Sequence, residues 1–199
     1  MIRLAGGQFR AVAAADDSVN ASEKLMSAGE LILAPDSIDL ENVIADIATI
    51  RKFNPQRFEC EQLTAVVYDD PQTQIVVGYK DLTENEFWCR GHLPGMPLMP
   101  GVLMCEAAAQ LCSYHAHSHG LTNGKILGFG GLDGVRFREV VHVPSRLVIV
   151  AKIVKMRRGL IVVYKFECFV DNALVCDGEL RGIGLPGTEA LPRHNVETA

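Results

Sequence analysis

His92 and Glu106 are the two side chains whose types and surroundings could do chemistry together. His92 lies in CRGHLPGMPLMPG, where Gly91, Pro94, Gly95, Pro97, Pro100 and Gly101 exclude both a helix and a central strand. Glu106 lies just beyond it in VLMCEAAAQLC, Val102 to Cys112, a run of helix formers almost free of breakers. Nine of those eleven residues are apolar and spread over both faces, which predicts a buried helix. The two polar residues in it, Glu106 and Gln110, stand four apart and share a face. A carboxyl group in such surroundings is costly to ionise. An imidazole base beside a carboxylic acid suits proton abstraction and proton donation. The helix start at Gly101 adds backbone N–H donors and a partial positive charge of roughly half a unit, enough to support a developing oxyanion. Elimination next to a carbonyl is the reaction these parts allow.

Two other groups of residues invite a chemical reading. HAHSH places His115, His117 and His119 just after the apolar run, and on a continued helix His115 and His119 share a face as chelating pairs do. The sequence sets no carboxylate or cysteine beside them, so they read as surface histidines and no metal site is expected. Arg136, Arg138, Lys155, Arg157 and Arg158 stand out in a chain of formal net charge −5. They read either as solvated strand ends or as an electropositive rim for an acidic partner.

The elements that must position these residues can be read around them. Leu63 to Tyr68 and Ile75 to Tyr79 flank the turn residues Asp69-Asp70-Pro71-Gln72 and predict a β-hairpin. Phe87-Trp88-Cys89 predicts a short extended segment leading to the His92 loop. Ile126 to Phe137 is rich in glycine. Arg146 to Lys155, Leu160 to Val170 and Leu174 to Ile183, separated by Arg157-Arg158-Gly159 and Asp171-Asn172, predict an antiparallel meander. The fold class expected is α+β, a curled antiparallel sheet wrapped around one long buried helix.

The main domain is expected over residues 50–187. Residues 1–49 form an extension, with a helix predicted at 37–50 that Asp36 or Ser37 could cap and whose partial stripe includes Val43, Ile44 and Ile47. Residues 188–199 read as a flexible tail. At 199 residues and 48% hydrophobic the chain can bury a proper core and is not a disordered one. The acidic balance offers no electrostatic reason to bind nucleic acid. The apolar runs are too short for a membrane span, and MIRLAGGQFR has no signal-type run. Six cysteines without a C-x-x-C pair fit a reducing cytosol, so a cytoplasmic location is expected.

The stretch GHLPGMPLMPGVLMCEAAAQ, Gly91 to Gln110, resembles the signature of the (3R)-3-hydroxyacyl-[acyl-carrier-protein] dehydratases of type II fatty-acid synthesis, whose pattern is close to G-H-F-P-G-x-P-x-x-P-G-V-L-x-x-E-A-x-x-Q. Leu93 departs from it, standing where phenylalanine is usual. GFGGLDGVRFREVV and KMRRGLIVVYKFECFVDNALVCDGEL are similar to the family's closing strands, so the resemblance runs from about Leu63 to Gly184. Before Phe58 it fades, and NPQRFECEQLTA replaces the family's arginine- and proline-containing segment. Where the family carries Pro-Gly-Asp, this chain has Pro144-Ser145-Arg146, which adds a charge.

The resemblance implies a hot-dog fold and dehydration of (3R)-3-hydroxyacyl-carrier protein to the trans-2-enoyl product. It implies that His92 removes the C2 proton, Glu106 protonates the departing C3 hydroxyl, the Gly101 N–H polarises the thioester carbonyl and Gln110 steadies Glu106. Phe129 and Leu93 would line the acyl tunnel, and Arg136, Arg138, Arg157 and Arg158 would dock the carrier protein. Glutamate at position 106 favours the branch that dehydrates without isomerising. No cofactor is implied, since the substrate rides on the carrier's phosphopantetheine. In the family the histidine and glutamate meet across a dimer interface, which implies a homodimer and, from relatives, a trimer of dimers. An (R)-specific enoyl-CoA hydratase and a non-catalytic acyl-binding or partner-binding subunit stand as the alternatives.

Overall fold

The computed structural model describes residues 30–188. The apolar run forms helix α2, Gly101–Ser118, which continues past Cys112 into the histidine segment before Gly120. The continuation contains no breaker until Gly120, and Ser113, Tyr114, His115, Ala116 and His117 are all buried. Six strands build one sheet: β1 (Ala65–Asp70), β2 (Ile75–Leu82), β3 (Leu127–Phe137), β4 (Ser145–Arg157), β5 (Ile161–Val170) and β6 (Ala173–Gly184). Their order is β1-β2-β4-β5-β6-β3, with every neighbouring pair antiparallel. The predicted hairpin is β1–β2 and the predicted meander is β4–β5–β6. The helix touches five of the strands, β2 through β6, as the core of a sheet that wraps it.

Strand alternation gives the sheet two apolar faces. Val66, Val76, Leu147, Ile149, Tyr164, Phe166 and Leu180 point at α2 and pack with its Met104, Ala108, Leu111 and Cys112. On the opposite face Ala65, Val67, Val77, Tyr79, Val150 and Phe169 form a second cluster. The helix packs tightly on the sheet at Gly78 of β2, where a Cβ would stand 2.8 Å from both the Ala65 carbonyl oxygen and Leu111 Cδ1. Hydrogen at that position is what lets helix and strand approach.

The predicted helix at 37–50 is not formed. Pro35–Ser37 makes a single 3-10 turn, and the only α-helical turn there is α1, Ile47–Ile50, capped by the Asp46 carboxylate accepting from the Thr49 N–H at 2.8 Å. Between them Ala45 bridges Val66 of β1, giving and receiving a backbone hydrogen bond. Pairing with an open sheet edge satisfies these backbone groups and overrides the helical stripe. The main domain therefore begins before residue 50. Leu31, Ile32, Leu33, Ile38 and Leu40 cover the second cluster, and the Ile32 N–H donates to the buried Glu167 carboxylate at 2.9 Å. Expectations for residues 1–29 and 189–199 lie outside the described residues. Phe87-Trp88-Cys89 forms turns instead of an extended segment, because Trp88 turns inward and is buried. The glycine-rich stretch is β3, whose ladder with β6 is interrupted at Phe129/Gly131 and Asp133/Arg136. Gly134 at the second irregularity has φ +59°, a conformation suited to glycine.

Candidate active site

The His92 loop is pinned at both ends. Trp88 anchors its start and accepts from the His92 backbone N–H at 2.8 Å. At its far end buried Met99 donates its N–H to the Val141 carbonyl at 2.8 Å, and Leu98 bridges His142. Between these anchors His92, Leu93 and Met96 are exposed.

Glu106 lies half-buried on α2. Gln110, one turn on, is buried and uses all of its side chain: Nε2 donates to Glu106 Oε1 and to the Cys60 carbonyl, both at 2.7 Å, while Oε1 accepts from the Gln62 N–H at 2.8 Å. The Gln110 backbone carbonyl takes a further bond from Asn54 Nδ2 at 2.8 Å. Asn54, Cys60 and Gln62 belong to NPQRFECEQLTA, the segment that leads into β1. It braces the glutamine that holds the carboxylate, a role no local pattern in it announces.

Glu106 opens into a groove of about 360 Å³ lined by Val102, Cys105, Phe129, Leu132, Val135 and Phe137. The walls are apolar and Glu106 is the ionisable carboxylate among them, which suits an acyl chain meeting one proton donor. Gly101 opens α2 beneath Phe137, whose ring lies 3.0 Å from where a Cβ would be. Glu106, Phe129 and the start of α2 thus come together in one chain; His92 and Leu93 do not line this groove. Val102, Phe129 and Phe137 at its rim are 70%, 51% and 52% exposed, an apolar edge left open in the single chain. Val102, Leu132, Val135 and Phe137 were not singled out from sequence. The irregularities in β3 reset the pleat, so simple alternation does not reveal which residues share the groove.

The basic residues do not form one rim in the single chain. Arg136 lies opposite Asp177 near one end of β6, whereas Arg157 pairs with Ile161, which pairs with Ile183 near the other end. About six residues of strand, roughly 20 Å, separate the two levels. Arg138 forms an ion pair with Asp177, and Arg158 reaches the His119 carbonyl at 3.4 Å. Arg146, the added charge, pairs through two bonds with Asp81 and lies 4.0 Å over the Tyr79 ring. The histidines also depart from expectation: His115 and His117 are buried, because α2 continues through them. His117 is held by the Ser113 and Lys125 carbonyls.

Residues 54–179 match the FabA-like domain family. The 3-hydroxyacyl-[acyl-carrier-protein] dehydratase FabZ of Roseiflexus castenholzii is 39% identical over 135 residues, which cover 68% of this chain and 93% of that protein. The enzyme of the same name from Streptococcus mutans is 38% identical over 137 residues, covering 68% and 94%. Among solved structures, the dehydratase heterocomplex ApeI:P from Xenorhabdus doucetiae superposes with a TM-score of 0.60 at 16% identity, over 70% of this chain and 93% of that one. That likeness is one of fold, and the expected hot-dog architecture is the one observed. Among the described residues no helix is long and apolar enough to cross a membrane.

Proposed function

The chain belongs to the FabA-like family, and from that premise we propose that it dehydrates (3R)-3-hydroxyacyl-carrier protein to the trans-2-enoyl thioester with His92 as base and Glu106 as acid. The observation that carries this reading is the Glu106 carboxylate in an apolar groove, held by the buried Gln110 amide. His92 takes the C2 proton of the substrate. Glu106 gives a proton to the C3 hydroxyl, which leaves as water, and the Gly101 N–H at the start of α2 supports the negative charge that gathers on the thioester oxygen. The thioester itself supplies the acidity at C2, so the reaction draws on no cofactor.

A symmetric dimer completes the site. His92 is exposed on a pinned loop, and the groove that holds Glu106 has an apolar rim open to solvent. A second copy seated on that rim would cover Val102 and Phe137 and bring its own histidine to the groove. The carrier protein presents the acyl chain from outside; Arg136, Arg157 and Arg158 are exposed cations that could meet its acidic surface. In one chain they lie at two levels, and a dimer would offer each level twice.

The test is hydration of crotonyl-carrier protein, followed as loss of enoyl absorbance, with crotonyl-CoA beside it. His92→Ala and Glu106→Gln should each be folded and inactive. Unfolding and refolding the two variants together in equal amounts should restore about a quarter of wild-type turnover, since half of the dimers are mixed and each has one intact site. No turnover by folded wild type on several chain lengths would overturn the enzymatic reading. Absence of rescue on mixing would overturn the shared site.

A further inference from the structure

A carboxylate beside the histidine pair changes what HAHSH can do. Asp69 of β1 faces α2 because the β1–β2 register shifts between Val66 and Tyr68, which sets Asp69 opposite Val76 on the helix-facing side. Its Oδ1 lies 2.8 Å from His119 Nε2 and 3.5 Å from His115 Nε2. One ligand atom from each of the three residues falls within a span of 4.8 Å. From these positions we propose that Asp69, His115 and His119 bind one divalent transition-metal ion, zinc by preference, clipping the end of the central helix to the edge strand.

The strongest observation is His115. Its side chain is 1% exposed, and its Nε2 is buried with no hydrogen-bond partner while pointing at the cluster. A buried ring nitrogen left open in this way is a rarity that a ligand resolves. The other nitrogen is engaged: Nδ1 lies 2.8 Å from the hydroxyl of Tyr164, which is itself fully buried. An outer partner on the second nitrogen is how metal-binding imidazoles are oriented.

The spacing is also right. His115 and His119 are one helical turn apart with ring centroids at 4.8 Å, so both present nitrogens to one side of α2. At zinc–ligand bonds of about 2.0–2.1 Å, adjacent donors in a tetrahedron stand roughly 3.4 Å apart. The Asp69–His119 contact would open by roughly 0.6 Å and the two ring nitrogens would draw together by roughly 1.4 Å, about 0.7 Å for each ring. The His119 side chain is 29% exposed, which leaves a fourth position accessible to water from that side. Nothing in this cluster touches the dehydratase groove: His115 follows Glu106 by nine residues, about 13 Å along the helix.

The experiment uses the untagged full chain, stripped with a chelator, reloaded with zinc, dialysed and assayed for metal per chain by plasma mass spectrometry. Wild type should retain one zinc per chain, and Asp69→Asn and His119→Gln should retain at most a tenth of that. His119→Gln changes the most exposed ligand and keeps the fold testable by circular dichroism. With free zinc at about a hundredfold excess over the dissociation constant, wild-type Tm should rise by roughly 5–10 °C, and the rise should vanish in Asp69→Asn. Cobalt substitution should give a visible spectrum without a thiolate charge-transfer band, which excludes capture by exposed Cys60. Equal zinc retention by wild type and both variants, or none by wild type, would overturn the site and leave the three residues a hydrogen-bonded lock.

Discussion

Gln110→Met separates holding the fold from holding the acid. Methionine has nearly the shape of glutamine but cannot replace its three side-chain hydrogen bonds to Glu106, Cys60 and Gln62. The Gln62 N–H is buried and loses its acceptor, which costs about 1–3 kcal/mol. The Cys60 carbonyl belongs to an exposed residue that water can reach, and it adds little. For a chain of this size the expected loss in Tm is about 2–12 °C. Freed from Gln110, Glu106 samples other rotamers; losing about 1–1.5 kcal/mol of its orientation lowers kcat about 5–12-fold. The groove walls are untouched, so KM should hold within about twofold. Thermal melts by circular dichroism and saturation kinetics on crotonyl-carrier protein read both effects. A lower Tm with unchanged kcat would refute the positioning of Glu106 by Gln110, and an unchanged Tm would refute the network itself.

Three further outcomes are expected. Gly78→Ala puts a methyl group 2.8 Å from a backbone oxygen and from Leu111, and should cost about 1–3 kcal/mol in urea unfolding; a wild-type midpoint would show the helix free to retreat. Glu167→Ala removes the acceptor of the Ile32 N–H and the partner of Lys165, so limited proteolysis should cut faster within residues 31–40. Cleavage there at the wild-type rate would mean that apolar packing alone holds the arm. The Thr49 backbone N–H holds the exposed Asp46 carboxyl below the ordinary carboxylate value of about 3.9. The unfolded chain therefore takes up that proton first: the contribution to stability is complete above about pH 3.9 and disappears as pH falls through the lower folded value. Asp46→Asn keeps a cap but not the titration, so its urea midpoint should fall less on acidification, and an identical pH profile would remove Asp46 from the linkage.

The residues that carry the proposed chemistry were legible because their local surroundings are unusual: a histidine among prolines and glycines, then one carboxylate and one amide in an otherwise apolar helix. The β1–β2 hairpin and the β4–β5–β6 meander were legible too, since each strand pairs with its neighbour in sequence and its turns are marked. Residues 37–50 read as a helix because their stripe is helical, but Ala45 found the backbone of Val66, and a paired sheet edge outweighs weak helix propensity. The burial of the last turns of α2 was not legible, because His115 and His117 look polar in sequence and are buried in the fold. Asp69 lies 46 positions before His115, and the turning of its side chain toward α2 depends on one shifted register in β1. The brace behind Gln110 joins positions about fifty residues apart. Local sequence determined the reactive groups and most of the elements, because propensity and pattern act over a few residues. Which groups face one another was decided by strand register and helix packing, which long-range contacts alone can set.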